Sequence, residues 1–430
     1  MQATSSVHAT EALLFFTLLQ LCIIVLAARV GGALAKAMGQ ATAVGEIIVG
    51  ILLGPSLFGL LAPDVFNTVF RSMSGQALTI LSQIGLLLLM FQIGLEFDFG
   101  HLTERRNRRA VLAVSIGGLV TPFTLGLGFA WVMPQVYAGG ANPSAFALFM
   151  ATALSITALP ILGRIMIEFN LTRTPIGVIA ISAAAINDVV GWLLLAMVTA
   201  MTTAQFSGAG FAINVTLVAG FGALSWWVVR PPLGRMVARH MTADPRMSGS
   251  LMGIIIACIF AAGMATFKLG IFAIFGGFMV GVMLHDQTAF VGAWKDRVGH
   301  FVNVFFLPIF FTYTGLRTDI GSLADGDAWL WCALLITVAT IGKFGGCYIA
   351  ARMAGLNRIE SKIIGIMMNT RALMELIVIN VGFDLGVISK PVFTMRVLMA
   401  LFSTGVTSPA LRRWLPQLAA SRAPRGATAA

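Results

Sequence analysis

Long apolar runs alternate with short polar segments along nearly the whole chain of 430 residues. A helix rises about 1.5 Å per residue, so about 20 apolar residues are enough to cross the hydrocarbon core of a bilayer. Most runs reach that length, and the pattern predicts an all-α integral membrane protein with about thirteen transmembrane helices. The predicted helices cover residues 11–36, 43–61, 76–97, 108–133, 144–169, 174–204, 211–229, 249–266, 269–285, 298–316, 327–354, 360–383 and 391–415.

The composition agrees with a lipid environment. Hydrophobic residues make up 58% of the chain and charged residues 10%, which leaves too little polar surface to cover a soluble globule of this size. The net charge of +11 comes from basic residues in short loops, so no nucleic-acid partner is expected. There is no phosphate-binding Gly-Lys-Ser/Thr loop, and the 4 cysteines lack metal-ligand spacing. We therefore expect no cofactor and no enzymatic activity.

The loop charges predict the orientation in the membrane. Of the 28 basic residues, twenty-one fall on one side and four on the other, while Lys343, Arg371 and Arg396 lie within predicted spans. Because cytoplasmic loops carry the excess of Lys and Arg, the rich side is expected to be the cytoplasm. An odd number of spans then places the N-terminus outside and the C-terminus in the cytoplasm, as in a bacterial inner (plasma) membrane protein.

Thirteen helices divide into six, one and six, which gives two halves of inverted topology. The expected division is a first repeat at 1–210, a linker helix and cytoplasmic loop at 211–248, a second repeat at 249–415, and a short cytoplasmic tail at 416–430. Helix 5 and helix 12 then correspond, and both have unusual compositions. Helix 5 contains Pro160, which lacks a backbone donor, and helix 12 contains the polar stretch 369–375. Discontinuous helices in matching positions of inverted halves indicate an ion site, although Pro160 alone is also consistent with a harmless kink.

Asp188 places a carboxylate in the middle of an apolar span. Insertion scales give a cost of roughly 2.5–3.5 kcal/mol for such a residue, so it usually faces a polar cavity and acts on ions or protons. Burial raises the pKa of a carboxylic acid, and one site can then hold either a proton or a dehydrated monovalent cation. We expect Asp188 to carry both, with further oxygen ligands from Thr157, Ser155 and carbonyls around Pro160. A structural role in holding helices together is the alternative.

Six motifs follow one another along the chain: GEIIVGILLGP at 45–55, LLLLMFQIGLEFD at 86–98, TALP at 157–160, Asn187-Asp188, FLPIFFTYTGLRTD at 306–319 and MNTRALME at 368–375. Taken in this order, they resemble a known family. The chain is similar to the second family of monovalent cation:proton antiporters, in a CHX-like branch related to the Kef and NapA antiporters. The resemblance implies an NhaA-like fold with crossed discontinuous helices, an elevator movement of a core domain against a dimerisation domain, and a homodimer. It also implies that Asn187 holds the broken helices together.

Three charged residues are expected to support the ion site. Lys343 matches the intramembrane lysine that family members place opposite their carboxylate pair, but Asn187 replaces the first aspartate here. Lys343 is therefore expected either to pair with Asp188 or to be deprotonated, with a snorkelling structural lysine as the alternative. Arg371 and Glu375 are spaced i,i+4, so they are expected to pair along one helix face and stabilise the break in helix 12.

The function that these features predict is exchange of Na⁺ or K⁺ for H⁺ by alternating access. Asn187 leaves Asp188 as the one obvious carrier, so exchange is expected to be electroneutral. A sodium-coupled symporter of organic anions is an alternative, but it needs a second substrate cavity, and the Asn187-Asp188 and Lys343 combination argues against it. A non-transporting membrane sensor or assembly domain is the other alternative. Selectivity between Na⁺ and K⁺ stays open at this point.

Overall fold

The computed structural model describes residues 2–71, 76–96, 105–140, 142–171, 174–202, 208–243, 246–269, 273–324, 326–371 and 373–422. Helices and short turns make up this part of the chain, and its one β-type contact is an isolated bridge between Ala138 and Ile388. The predicted all-α class is therefore confirmed.

The helices of the N-terminal half follow the predicted apolar runs closely. Their bounds are α1 Gln2–Ala37, α2 Thr42–Leu53, α3 Phe58–Leu61, α4 Pro63–Phe66, α5 Gln76–Leu95, α6 Arg105–Val132, α7 Pro143–Ser155, α8 Leu159–Glu168, α9 Pro175–Thr202 and α10 Gly208–Leu224.

The C-terminal half contains α11 Arg230–Ala243, α12 Gly249–Lys268, α13 Ala273–Met283, α14 Thr288–Trp294, α15 Leu307–Leu316, α16 Gly326–Thr340, α17 Gly346–Met353, α18 Arg358–Met368, α19 Leu373–Asp384 and α20 Lys390–Arg422. A π-helical turn at Ser225–Val229 joins α10 to α11, and another at Ile341–Gly345 joins α16 to α17. Residues 230–243, which fall in the expected cytoplasmic loop, are therefore helical, and the side of the membrane on which they lie stays a prediction. Pro231 and Pro232 lie at the start of α11, directly after the π-helical turn that joins it to α10.

Seven helices of the described chain are long and apolar enough to cross a membrane. The bent pair Thr288–Gly299 and Val302–Leu323 makes an eighth candidate if it forms one span. Helices α7, α8, α18 and α19 are shorter, because each belongs to a broken segment. The count of thirteen spans and the inverted repeats remain predictions.

The chain divides into two compact units, each built from three segments. The first unit contains Met1–Ala33, Gly45–Asp98 and Thr203–Thr318. Within it, glycines allow α5 and α13 to pack with their backbones in contact: a Cβ at Gly94 would lie 2.8 Å from the backbone nitrogen of Val282. Such close contact needs residues without side chains, which explains the small residues in both apolar runs.

The second unit contains Leu34–Val44, Phe99–Thr202 and Asp319–Ala430. Both broken segments, α7/α8 and α18/α19, belong to it. It also holds most of the buried charge of the described chain, although one further buried carboxylate, Glu46, lies in the first unit. The buried charged side chains of the second unit are Asp188, Lys343, Arg371, Glu375 and Arg396. Because burying charge in an apolar protein is costly, this concentration makes the second unit the candidate location of the functional site.

Candidate functional site

The first broken segment ends α7 at Ser155 and resumes at α8. Ile156 is extended, with φ −69° and ψ 145°. Pro160 is the second residue of α8, where the first backbone N–H groups have no partner within the helix. Pro160 therefore begins a new helix rather than kinking a continuous one, and the carbonyls at the end of α7 are left without helical donors.

The second broken segment separates α18 from α19. Asn369 ends α18, and helix resumes at Leu373. The two breaks touch: the backbone N–H of Ala158 donates to the carbonyl of Thr370 at 3.3 Å. The discontinuous helices therefore meet at their breaks, in agreement with the arrangement that the family resemblance implied.

Helix α9 carries Asn187 and Asp188 and packs against this region. Asp188 is 5% exposed, and its Oδ1 atom accepts no hydrogen bond from the residues that the structure describes. A Cβ at Gly118 of α6 would lie 3.2 Å from Asn187 Nδ2, and a Cβ at Gly191 would lie 2.7 Å from the side chain of Ile156. The face of α9 that carries Asn187 therefore packs against α6 and against the break after α7.

Thr157 and Ser155 differ in how their hydroxyls are used. Both side chains are fully buried. The Thr157 hydroxyl has no hydrogen-bond partner in the described part of the chain. The Ser155 hydroxyl donates to Ala151 O at 2.8 Å and lies 3.2 Å from Leu119 O. Of the two predicted hydroxyl ligands, Thr157 is the one with an uncommitted oxygen.

Lys343 lies in the π-helical turn between α16 and α17 and is fully buried. Its Nζ atom donates to Gly118 O at 2.6 Å and to Ser155 O at 2.5 Å. Asp188 lies within range of an electrostatic interaction, but Lys343 forms no ion pair with a carboxylate among the described residues. Of the two states expected for Lys343, the ion pair with Asp188 is therefore not formed, and the deprotonated state stays a prediction. Snorkelling does not apply either, since the ammonium group ends on buried backbone.

The expected pair of Arg371 and Glu375 was wrong. Arg371 lies in the break before α19, so the two residues do not share a continuous helix face. Its Nη2 atom donates to Ala339 O at 3.1 Å. Glu375, in the first turn of α19, forms an ion pair with Arg396 of α20 instead. Sequence reasoning missed this role of Arg396, although a basic residue within a predicted span was the available signal.

Two polar residues of the second break were also missed as site residues. Asn369 is 1% exposed, and its Oδ1 atom has no partner among the described residues. The hydroxyl of Thr370 lies 3.3 Å from that of Thr407 on α20. The polar stretch 369–375 signalled a break, but it did not show which oxygens would stay unpaired.

The second unit therefore contains a buried carboxylate, Asp188, on a helix that packs against the break after α7, and, at both breaks, buried neutral oxygens without hydrogen-bond partners among the described residues. A dehydrated alkali cation needs oxygen ligands, and the C-terminal ends of α7 and α18 carry partial negative charge. A proton on the same carboxylate removes the negative charge that attracts the cation. The arrangement can therefore bind a cation or a proton in competition.

Comparisons with known proteins point to one family. The family model described as "Sodium/hydrogen exchanger, transmembrane" matches residues 24–416. The Na(+)/H(+) antiporter NhaS4 of Synechocystis sp. is 36% identical over 94% of this chain and 98% of its own length. Cation/H(+) antiporter 17 of Arabidopsis thaliana is 36% identical over 91% of this chain but 47% of its own length. The K(+)/H(+) antiporter 1 of Saccharomyces cerevisiae is 30% identical over 91% of this chain and 45% of its own.

The chain thus spans about half the length of the plant and yeast relatives and nearly all of the cyanobacterial one. Among solved structures, the sodium proton antiporter MjNhaP1 of Methanocaldococcus jannaschii covers 96% of this chain with a TM-score of 0.63. That match covers 98% of the archaeal chain at 14% identity, so it bears on the fold alone.

Proposed function

This chain belongs to the sodium/hydrogen exchanger family, and from that premise we propose that it exchanges a monovalent cation, Na⁺ or K⁺, for H⁺ across a membrane. The observation that carries the proposal is Asp188. Its carboxylate is buried, its Oδ1 atom is unpaired within the described chain, and its helix packs against the break between α7 and α8. Related proteins named as Na(+)/H(+) and K(+)/H(+) antiporters support exchange of this kind.

Asp188 would hold the transported ion directly. The Thr157 hydroxyl and carbonyls freed at the end of α7 would supply neutral ligands, and Asn187 would hold α9 against α6. Because a cation and a proton compete for one carboxylate, binding of one ligand releases the other. Movement with an occupied site then produces exchange, since an empty buried carboxylate resists crossing an apolar barrier.

One-for-one stoichiometry follows from the count of available carboxylates. Glu375 is held by Arg396, so within the described second unit Asp188 is the buried carboxylate that has no ion-pair partner. A site with one such carboxylate exchanges one proton for one monovalent cation, which makes exchange electroneutral. The elevator movement, the homodimer and the cytoplasmic C-terminus in a bacterial inner membrane belong to the same proposal. The family resemblance and the loop charges support them.

The test is antiport in proteoliposomes that contain a pH-sensitive dye. A pH gradient is imposed, and NaCl, KCl or choline chloride is added outside. We expect a cation-dependent pH change with an alkali cation, no change with choline, and no change in Asp188→Asn. Asp286→Asn is the matched control, because Asp286 is an exposed carboxylate paired with Arg230 in the first unit. Folded protein without cation-dependent flux would contradict antiport and would favour a sensor or assembly role.

A further inference from the structure

Pro122 lies inside α6, far from either end of that helix. A proline has no backbone N–H, so the carbonyl four residues earlier loses its helical donor. In α6 that carbonyl belongs to Gly118. A buried carbonyl without a donor costs free energy, and another group must satisfy it.

Lys343 provides that donor. Its Nζ atom lies 2.6 Å from Gly118 O and 2.5 Å from Ser155 O. The second carbonyl is also without a helical donor, because Ser155 is the last residue of α7. One ammonium group therefore satisfies two backbone acceptors, one created by a proline and the other by a helix break. A positive charge at the C-terminal end of α7 also matches the helix dipole.

The packing brings these groups together through small residues. A Cβ at Gly342 would lie 3.0 Å from Pro122 Cα, so the proline sits directly against the residue before Lys343. A Cβ at Gly346 would lie 2.5 Å from Gly117 O. The π-helical turn around Lys343 therefore approaches the backbone of α6 on both sides of Gly118, which lets a long side chain reach both carbonyls.

We propose that Pro122 and Lys343 form a positioning pair: the proline leaves Gly118 O free, and Lys343 uses that carbonyl to fix the end of α7 against α6. The end of α7 lies two residues before Thr157, so the pair sets where the proposed cation ligand stands. Lys343 is then a positioning residue that acts through backbone groups, rather than the counter-charge of Asp188. The effect on transport rests on the proposed antiport, whereas the positioning pair itself does not.

The test is a suppressor experiment on the full chain. K343M leaves both carbonyls without a donor and lowers the Tm. P122A restores an N–H that can bond to Gly118 O, so P122A/K343M is expected to have a higher Tm than K343M. In the wild-type background P122A is expected to leave the Tm unchanged or lower it, because the straightened helix moves Gly118 O away from Lys343. P409A is the matched control, since Pro409 also lies inside a helix, α20, and its i−4 residue is Gly405.

Transport gives the second measurement. K343M is expected to raise the cation KM about tenfold with a smaller change in kcat, and P122A/K343M to lower the KM again. K343R keeps two N–H donors and is expected to stay close to wild type in Tm and KM. If K343M yields no folded protein, the proposal requires P122A/K343M to yield folded protein and P409A/K343M not to.

Two results would overturn the positioning pair. One is that P122A changes the Tm by the same amount in the wild-type protein and in K343M. The other is that P409A/K343M recovers as much Tm over K343M as P122A/K343M does. If neither the wild-type protein nor any variant shows transport, the proposed antiport fails. The Tm values of K343M, P122A/K343M and P409A/K343M still decide whether the positioning pair exists.

Discussion

Replacement of Asp188 by Asn should remove cation binding and leave the protein folded. The amide keeps the volume of the carboxylate and removes its charge. At an effective dielectric constant of 20, two unit charges about 4 Å apart attract by about 4 kcal/mol, which is worth about three decades of affinity. Because Asp188 Oδ1 has no partner in the described chain, no ion pair is lost in the empty state. Without cation, the Tm of Asp188→Asn should equal or exceed that of wild type.

Cation-dependent stabilisation measures the difference in cation affinity between wild type and Asp188→Asn without requiring transport. A ligand at 100 times its Kd stabilises a folded protein by about 2.7 kcal/mol. If the Kd rises about 1,000-fold, the same concentration lies at about a tenth of the Kd and stabilises by less than about 0.1 kcal/mol. Purified wild type and variant would be melted across a series of NaCl and KCl concentrations, with choline chloride holding the ionic strength constant.

Saturable stabilisation of Asp188→Asn by the same cation that stabilises wild type would refute the role of Asp188 as the ion ligand. Asp286→Asn, which changes an exposed carboxylate, should reproduce the wild-type titration. A loss of stabilisation in both variants would mean that the cation acts through general surface charge.

Three further predictions follow from the same site. Glu375→Gln leaves Arg396 buried without its carboxylate partner and should lower the unfolding free energy by about 3–5 kcal/mol, whereas Glu96→Gln, at an exposed pair with Lys295, should change it by less than about 1 kcal/mol in denaturation experiments. Thr157→Val should raise the cation KM about tenfold in proteoliposomes, and Thr157→Ser should not, because the serine keeps the hydroxyl oxygen. The transport reversal point should stay fixed when a diffusion potential of 100 mV is imposed; one net charge per cycle would move it by about 2.3 kcal/mol, or nearly fiftyfold in the gradient.

The helices and their breaks could be predicted because each has a local physical cause. An apolar run of spanning length has few alternatives to a helix in a membrane, since every backbone group must be bonded internally. Pro160 and the polar stretch that begins at Asn369 interrupt such runs, and the structure has breaks at both places. Local chemistry therefore determined where these helices stop.

The partners of the charged residues could not be predicted in the same way. The i,i+4 rule that paired Arg371 with Glu375 holds on a continuous helix, and the break before Leu373 removes that condition. Arg396 reaches Glu375 from another helix, so this pair depends on tertiary packing. A lysine in an apolar span suggests a carboxylate as partner, yet Lys343 binds two carbonyls. The missed signal was Pro122, which by itself requires that Gly118 O find a donor elsewhere.

The position of Lys343 changes how cation binding at Asp188 would work. Where a lysine pairs directly with the carrier carboxylate, an incoming cation must displace the ammonium group and leave it unpaired, at a cost of several kcal/mol for a buried charge. Here the ammonium group already bonds to Gly118 O and Ser155 O, so a cation can approach Asp188 without breaking an ion pair. If Asp188 is the carrier, a proton and a monovalent cation change the charge of the site by the same amount, and neither needs to displace Lys343 from its two carbonyls. Under the proposed exchange, a fixed lysine and a single exchangeable carboxylate lead to one cation for one proton.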